Sequence, residues 1–285
     1  MIHFDNQRFE SILPVLKDQL KNKGIITIQS NNCDIKAWSD LAQILFCKII
    51  TINTNDTMIT LTLEKIDLQK SFHTINDIEE KYGQDSKFAQ IDKMNQPAFL
   101  HYYLQALHNI KIDSRKRILN LGINSGEEFE IIKNQFDSFK DSEYIGIDYC
   151  DSAIKIAKEK FSSSSNVSFY TADINNLENL NLGKFDCIIT IGTLQSASLN
   201  FKTTFMDIIQ NYLEKDGSII MGFPNCRWYD ENMIYGAKAP NYNFSEMSIL
   251  YNDVIFCKKY LQQKKFRVTI TGKEYIFLTA TSIRK

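Results

Sequence analysis

Cysteine is present only in arrangements that exclude the usual uses. Cys33, Cys47, Cys150, Cys187, Cys226 and Cys257 are scattered without a C-x-x-C pair, which suggests neither a zinc site, nor any other metal centre, nor a disulfide framework. They read as reduced thiols, so a cytoplasmic location is expected. Charge of one sign is also missing: 33 Lys and Arg stand against 34 Asp and Glu, for a net charge of −1. No global basic field therefore advertises DNA or RNA, although a local patch stays compatible with that balance. No apolar run approaches the roughly 18 residues of a membrane span. Residues 1–20 carry Asp5, Glu10 and Asp18 among their apolar positions and do not read as a secretory signal. The four Pro and eleven Gly, with many Asn, Lys and Ile, are compositional background. What remains is ordinary for a globular chain: 285 residues, 44% hydrophobic and 24% charged, enough for one large domain or two small ones.

The most organised stretch is residues 117–132, RILNLGINSGEEFEII. Ile118, Leu119 and Leu121 read as a buried strand, residues 122–126 as a tight turn, and the segment from Glu127 as a helix burying Phe129, Ile131 and Ile132. A strand running through a glycine turn into a helix makes a nucleotide-sized pocket at the carboxyl edge of an open α/β sheet. Gly122 is expected to let a ligand lie against bare backbone, and Gly126 to let helix and strand pack closely. The spacing fits neither the G-x-G-x-x-G dinucleotide fingerprint nor a Walker loop, and two glutamates at the helix start would repel a phosphate.

The remaining G-x-x-x-G resembles the glycine loop of class I S-adenosylmethionine-dependent methyltransferases, D/E-x-G-x-G-x-G. Asn120 stands at the acidic position and Asn124 at the middle glycine. Three later segments extend the resemblance. Residues 143–148, EYIGID, form a second strand ending in Asp148, placed to take both ribose hydroxyls. Residues 167–173 form a third strand ending in Asp173, suited to an adenine amino group, and residues 184–191 a fourth, followed by Gly192. Over residues 97–285 the resemblance implies an α/β, Rossmann-like sheet of seven strands with the last antiparallel, and S-adenosyl-L-methionine as cofactor. The implied cofactor contacts are Asn120, Gly122, Asn124, Gly126, Asp148, Tyr149, Ala172, Asp173, Ile174, Ile191 and Gly192.

Residues 1–70 read as a separate β-α-β-α-β-β sandwich. The first helix, over residues 8–23, has Ile12, Leu13, Leu16 and Leu20 on one side and Gly24 as its expected C-cap. The segment resembles the small TusA-like sulfur carriers through Phe4-Asp5, Leu13-Pro14-Val15-Leu16, the glycine before the next strand, and Asp34-Ile-Lys-Ala-Trp38. That family begins its first helix with C-P-x-P, whose cysteine carries a persulfide. Here the same places hold Ser11-Ile12-Leu13-Pro14, which implies a retained shape without the chemistry. Residues 71–96 read as a linker leading into a helical lid.

Substrate chemistry is expected after the fifth strand. Residues 224–242 read as a long loop over the sulfonium side of the pocket, dense in aromatic and polar groups. Asn225, Arg227, Trp228 and Tyr242 are the candidate substrate contacts, and Tyr229, Asp230, Glu231 and Tyr235 the candidate catalytic groups. Lys258, Lys259, Lys264, Lys265 and Arg267 form the best candidate contact to RNA phosphates, or else a solvated face. Two readings stay open. One is a methyltransferase acting on a small molecule or a tRNA nucleoside. The other is a non-catalytic scaffold in which the departures at Asn120 and Asn124 have weakened cofactor binding.

Overall fold

The computed structural model describes residues 1–69, 83, 86, 91–196, 198–229, 231–236 and 247–284. In chain order its main elements are β1 (Ile2–Phe4), α1 (Phe9–Asn22), β2 (Ile25–Ser30), α2 (Ile35–Ile44), β3 (Cys47–Thr54), β4 (Ile59–Lys65), α3 (Pro97–Asn109), β5 (Arg117–Leu121), α4 (Glu127–Gln135), β6 (Glu143–Asp148), α5 (Asp151–Lys160), β7 (Val167–Thr171), β8 (Phe185–Ile191), α6 (Phe201–Asp207), β9 (Leu213–Pro224), β10 (Cys226–Tyr229), β11 (Asn232–Tyr235), α7 (Ser248–Gln263), β12 (Phe266–Gly272) and β13 (Tyr275–Ser282). They fall into two compact units. One is Met1–Ser71 with Trp228–Ile234, and the other is Phe72–Arg227 with Tyr235–Lys285.

In the first unit the sheet runs β1-β2-β4-β3, with β1 parallel to β2 and β4 antiparallel to both of its neighbours. Period-two burial of Ile59, Leu61 and Leu63 marks the inner face of β4. Against it, α1 buries Ile12, Leu16 and Leu20 at four-residue spacing, and α2 buries Trp38, Leu41 and Ala42. Asp34 caps α2 by accepting the Ala37 N–H at 3.1 Å. The end of α1 differs from expectation: Lys23 is already extended, and Gly24 is not left-handed. The expected long loop is also corrected, because its first half is the hairpin β10-β11. Trp228–Ile234 of that hairpin packs within the first unit, where Tyr229 and Ile234 cluster with Ile66 and Phe46. The side-chain amide of Gln43 donates to the Met233 carbonyl at 3.1 Å.

The second unit is built on a seven-stranded sheet ordered β12-β13-β9-β8-β5-β6-β7. The five central and right-hand strands are parallel, and β13 is antiparallel to both β9 and β12, as the resemblance implied. The chain moves outward from β5 through β6 to β7, then returns to place β8 and β9 on the other side of β5, which makes β5/β8 the topological switch point. Strand β5 is buried on both faces. Ile118 joins Phe99, Tyr103, Leu107, Phe129 and Ile132 of α3 and α4. Leu119 and Leu121 join Phe205, Leu250, Val254 and Leu261 of α6 and α7. Burial of each such side chain contributes about 1.5–3 kcal/mol, so the strand ends rest on a rigid layer. Among the described residues no helix is long and apolar enough to cross a membrane.

Candidate active site

The turn after β5 is shaped by three left-handed residues, Gly122 (φ 79°), Asn124 (φ 48°) and Gly126 (φ 87°). Asparagine is the side chain that tolerates this region best after glycine, so the departure at Asn124 keeps the loop's backbone. At Gly122 a side chain would collide with Thr193, whose hydroxyl donates to the Leu121 carbonyl at 3.0 Å. Gly122 therefore makes room for Thr193 on that side. Gly126 likewise admits Phe161 and Ala157 at 3.0 and 3.5 Å from where its Cβ would stand, so the close approach is to α5 and the turn that follows it.

The loop's amides are mostly used within the protein. Gly122 and Ile123 N–H both donate to Ile147 O, and the Asn124 N–H donates to Asp148 Oδ2 at 2.9 Å. The other Asp148 oxygen accepts the Cys150 N–H at 3.0 Å. Burial pushes the Asp148 carboxyl above its ordinary value, while the amides of Cys150, Asn124 and Tyr149 oppose the shift. A carboxylate offers about four lone-pair sites, so these three amides still leave room for a further donor. On the neighbouring strand, the Ala172 N–H donates to Asp148 O. Asp173 is exposed and accepts the Asn175 N–H at 2.8 Å, capping a short 3-10 turn, Ile174–Leu180. Tyr149 is 43% exposed beside them, whereas Ala172 and Ile174 lean on the core. Ile191 is itself core, so it meets the site only through its backbone.

Gly192 closes β8, and the place a Cβ would take lies 3.5 Å from Pro224 at the end of β9 and 3.8 Å from Tyr275 at the start of β13. Along this edge several buried polar atoms have no hydrogen-bond partner among the described residues. They are both amide atoms of Asn120, Thr190 Oγ1, Gln195 Oε1 and Asn225 Oδ1. Orphans of this kind are costly unless a polar ligand or water meets them. Three adjacent strands, β5, β8 and β9, bring them to one edge.

Three side chains missed in the sequence complete the electrostatics. Glu128 turns inward from α4 and is 2% exposed; its carboxylate lies 3.7 Å from Lys93. Burial raises the Glu128 carboxyl from 4.5 to about 7, with Lys93 opposing and Glu127 adding to the shift. Lys93 also acts on Asp148 and Cys226, so one cation serves both carboxylates. Glu274, 6% exposed, accepts the Tyr235 hydroxyl at 2.7 Å and pairs with Lys273 at 3.0 Å. Burial alone would raise Glu274, but the Tyr235 hydroxyl, its own amide and Lys273 outweigh burial and hold it below its ordinary value.

The other candidates are dispersed. Asn225 is fixed by backbone bonds to Glu274 O and from Gly236 N, and its amide donates to Lys273 O. Arg227 is half-buried. Trp228 is 6% exposed, with an indole N–H that has no partner among the described residues. Tyr229 is 3% exposed and packs in the cluster with Ile66 and Ile234. Glu231 is exposed in the hairpin turn and belongs to the first unit. Asp230 and Tyr242 lie outside the described residues, as do residues 71–82, 84, 85 and 87–90 of the expected linker. Among the described residues no group of His, Cys, Asp and Glu is placed to hold a metal ion.

Residues 112–271 match the family described as "Methyltransferase domain". The chain belongs to that family. No curated protein sequence matches this methyltransferase. Its fold is similar to that of the plantazolicin methyltransferase BpumL, solved with a monoazolic desmethylPZN analog and SAH, at 13% identity over 75% of this chain and 96% of that one, with a TM-score of 0.52. Lower scores relate it to the N-methyltransferase NodS from Bradyrhizobium japonicum WM9 (15% identity, 67% of this chain and 91% of that one, TM-score 0.46). A SAM-dependent methyltransferase from Aquifex aeolicus gives 16% identity, 68% and 98% coverage and a TM-score of 0.47.

Proposed function

We propose that this methyltransferase transfers a methyl group from S-adenosyl-L-methionine to a small-molecule or tRNA-nucleoside acceptor. The observation that carries the reading is the carboxyl edge itself, where Asp148, the orphaned amide of Asn120 and the end of β8 at Gly192 meet around the switch point. These groups fit an adenosine bearing an amino acid. Asp148 uses its remaining lone pairs on the ribose hydroxyls, Asp173 accepts from the adenine amino group, and the Asn120 amide answers the polar tail. When bound, the cofactor supplies an electrophilic methyl on a sulfonium.

The chain's own contribution is then mainly alignment, which can supply about 7–11 kcal/mol of barrier reduction. Of the described candidates, Tyr235 is the one we favour to take an acceptor proton: it already donates to Glu274, so a proton arriving at its oxygen can be matched by one leaving to the carboxylate. Arg227 suits an anionic group on the acceptor. The first unit, residues 1–70, keeps the β-α-β-α-β-β order of the TusA-like shape, with exposed Ser11 where a persulfide cysteine would stand, and we assign it no sulfur chemistry. Residues 71–96 link it to a methyltransferase domain over 97–285. All six cysteines lie among the described residues and none is in a disulfide, which suits a reducing cytoplasm.

The test is incubation of the protein with methyl-labelled S-adenosylmethionine and either total tRNA or the small-molecule fraction of cells lacking it. Label entering one fraction identifies the acceptor class. Label in neither, together with no cofactor-induced rise in thermal midpoint, would favour the scaffold reading. At 100 times the Kd the cofactor should stabilise the fold by about 2.7 kcal/mol.

A further inference from the structure

We propose that the sheet edge opposite the cofactor site carries a phosphate-binding groove. Its rim is Lys184, just before β8; Lys215, in the first turn of β9; Lys264, at the end of α7; and Arg284, beyond β13. Ile209, Leu213 and Phe266 line it as well. The cavity is about 190 Å³, well above the roughly 10–15 Å³ that one water requires.

Three observations point to an anion. First, the groove gathers four cations and one carboxylate, Glu214, in a chain whose net charge is −1, so the cluster does not follow from overall basicity. Second, among the described residues none of the four cations has a carboxylate at ion-pair distance, whereas Lys36, Lys48, Arg117, Lys155 and Lys160 do. Third, the cations are held by neutral acceptors that leave their charge uncompensated. Arg284 donates to the carbonyls of Lys215 at 3.0 Å and Lys264 at 2.6 Å, Lys184 Nζ donates to Gln210 O at 3.1 Å, and Lys264 Nζ lies 5.5 Å from the Tyr260 ring centre. Like charges brought together in this way repel unless a multivalent anion joins them. A planar guanidinium flanked by ammonium groups suits a phosphate group.

Of the five basic residues singled out in the sequence before the last hairpin, Lys264 alone lines the groove; the other cations come from three distant stretches. The length of β8 separates groove and cofactor site, roughly 20 Å at about 3.3 Å per residue. A ligand here is therefore a phosphate held away from the methyl, either one unit of a phosphodiester chain that also reaches the other edge or a free phosphate compound. Site and proposal do not depend on cofactor binding.

The test compares wild type with K215Q/K264Q, whose side chains are exposed and whose carbonyls still hold Arg284. Total tRNA is titrated at several salt concentrations, and pyrophosphate is followed by thermal midpoint. Wild type should bind tRNA with a salt slope that the variant lowers by about 1–2, since each phosphate contact contributes about 0.7–0.9, and affinity at low salt should fall roughly tenfold or more. Loss of tRNA binding in the variant identifies a phosphodiester ligand, and loss of pyrophosphate binding alone a free phosphate. Neither probe binding wild type, or both binding the variant equally well, overturns the proposal. Should the double variant unfold, K215Q and K264Q singly carry the same comparison.

Discussion

The backbone N–H of Asn124 donates to Oδ2 of Asp148 at 2.9 Å, so the carboxylate that closes the second strand of the central sheet also holds the middle of the glycine loop. The loop and the Asp148 carboxylate are thus one device. With the Cys150 N–H on its other oxygen, Asp148 fixes the start of α5 as well.

Asn124 tests how that loop tolerates its missing glycine. With φ at 48°, N124G should leave stability unchanged or slightly higher, and N124A should cost about 1–2 kcal/mol, because an alanine Cβ is strained in the left-handed region. Urea unfolding of the three proteins measures this. Equal stability of N124A and wild type would contradict the conformational role.

Gly122 and Thr193 should behave as a coupled pair. G122A combines a φ of 79° with a collision against Thr193 and should be destabilised by several kcal/mol, on the order of 3 or more. In G122A/T193G the collision disappears, and relative to T193G only the backbone term, about 1–2 kcal/mol, should remain. A double-mutant cycle without coupling would show that Thr193 does not occupy the glycine's place.

Glu128 sets a pH dependence. Its folded carboxyl sits at about 7 against 4.5, so between these values the folded state holds the proton more tightly than the unfolded one. Stability therefore falls as pH rises from about 4.5 to 7 and levels off above. The full span is at most about 3.5 kcal/mol, at about 1.4 kcal/mol per pKa unit. E128Q should flatten that part of the profile. In K93M the decline should extend beyond pH 7, because Lys93 is the group that opposes burial. Thermal midpoints from pH 4 to 9 check both.

Glu274 works in the opposite sense. Its folded carboxyl lies below its ordinary value once Tyr235 and Lys273 outweigh burial, so it contributes stability above the ordinary carboxylate range and loses it as pH falls through the folded value. Y235F removes one accepted bond and should cost about 1.5–3 kcal/mol near neutrality, with a smaller cost in acid. A Y235F penalty that stays constant with pH would contradict the bond.

Much of this was legible in the sequence because it rests on periodicity and glycine spacing. The strand, turn and helix over 117–132, the strand ending in Asp148, the strand that stops at Thr171 just before Asp173, and the antiparallel hairpin across Gly272 follow from apolar runs bounded by turn residues. The hairpin β10-β11 was not legible, because Trp228, Tyr229 and Ile234 suit a loop as well as a strand, and the packing of Tyr229 and Ile234 with Ile66 and Phe46 joins stretches far apart in sequence. Glu128 read only as one of two helix-start acids. Its inward turn depends on Lys93, which reaches it from a polar stretch that has no apolar pattern to read. The role of Gly122 was hidden for the same reason, since Thr193 lies far along the chain and no local signal links the two.

The most direct measurement is a calorimetric titration of S-adenosylhomocysteine into wild type and D148N. Expected is one site per chain in wild type and a loss of roughly tenfold to a hundredfold in D148N, the range for hydrogen bonds to a charged group at about 1.5–3 kcal/mol. Equal affinity in the two proteins, or no binding to wild type, would contradict the assignment of this sheet edge to an adenosine cofactor.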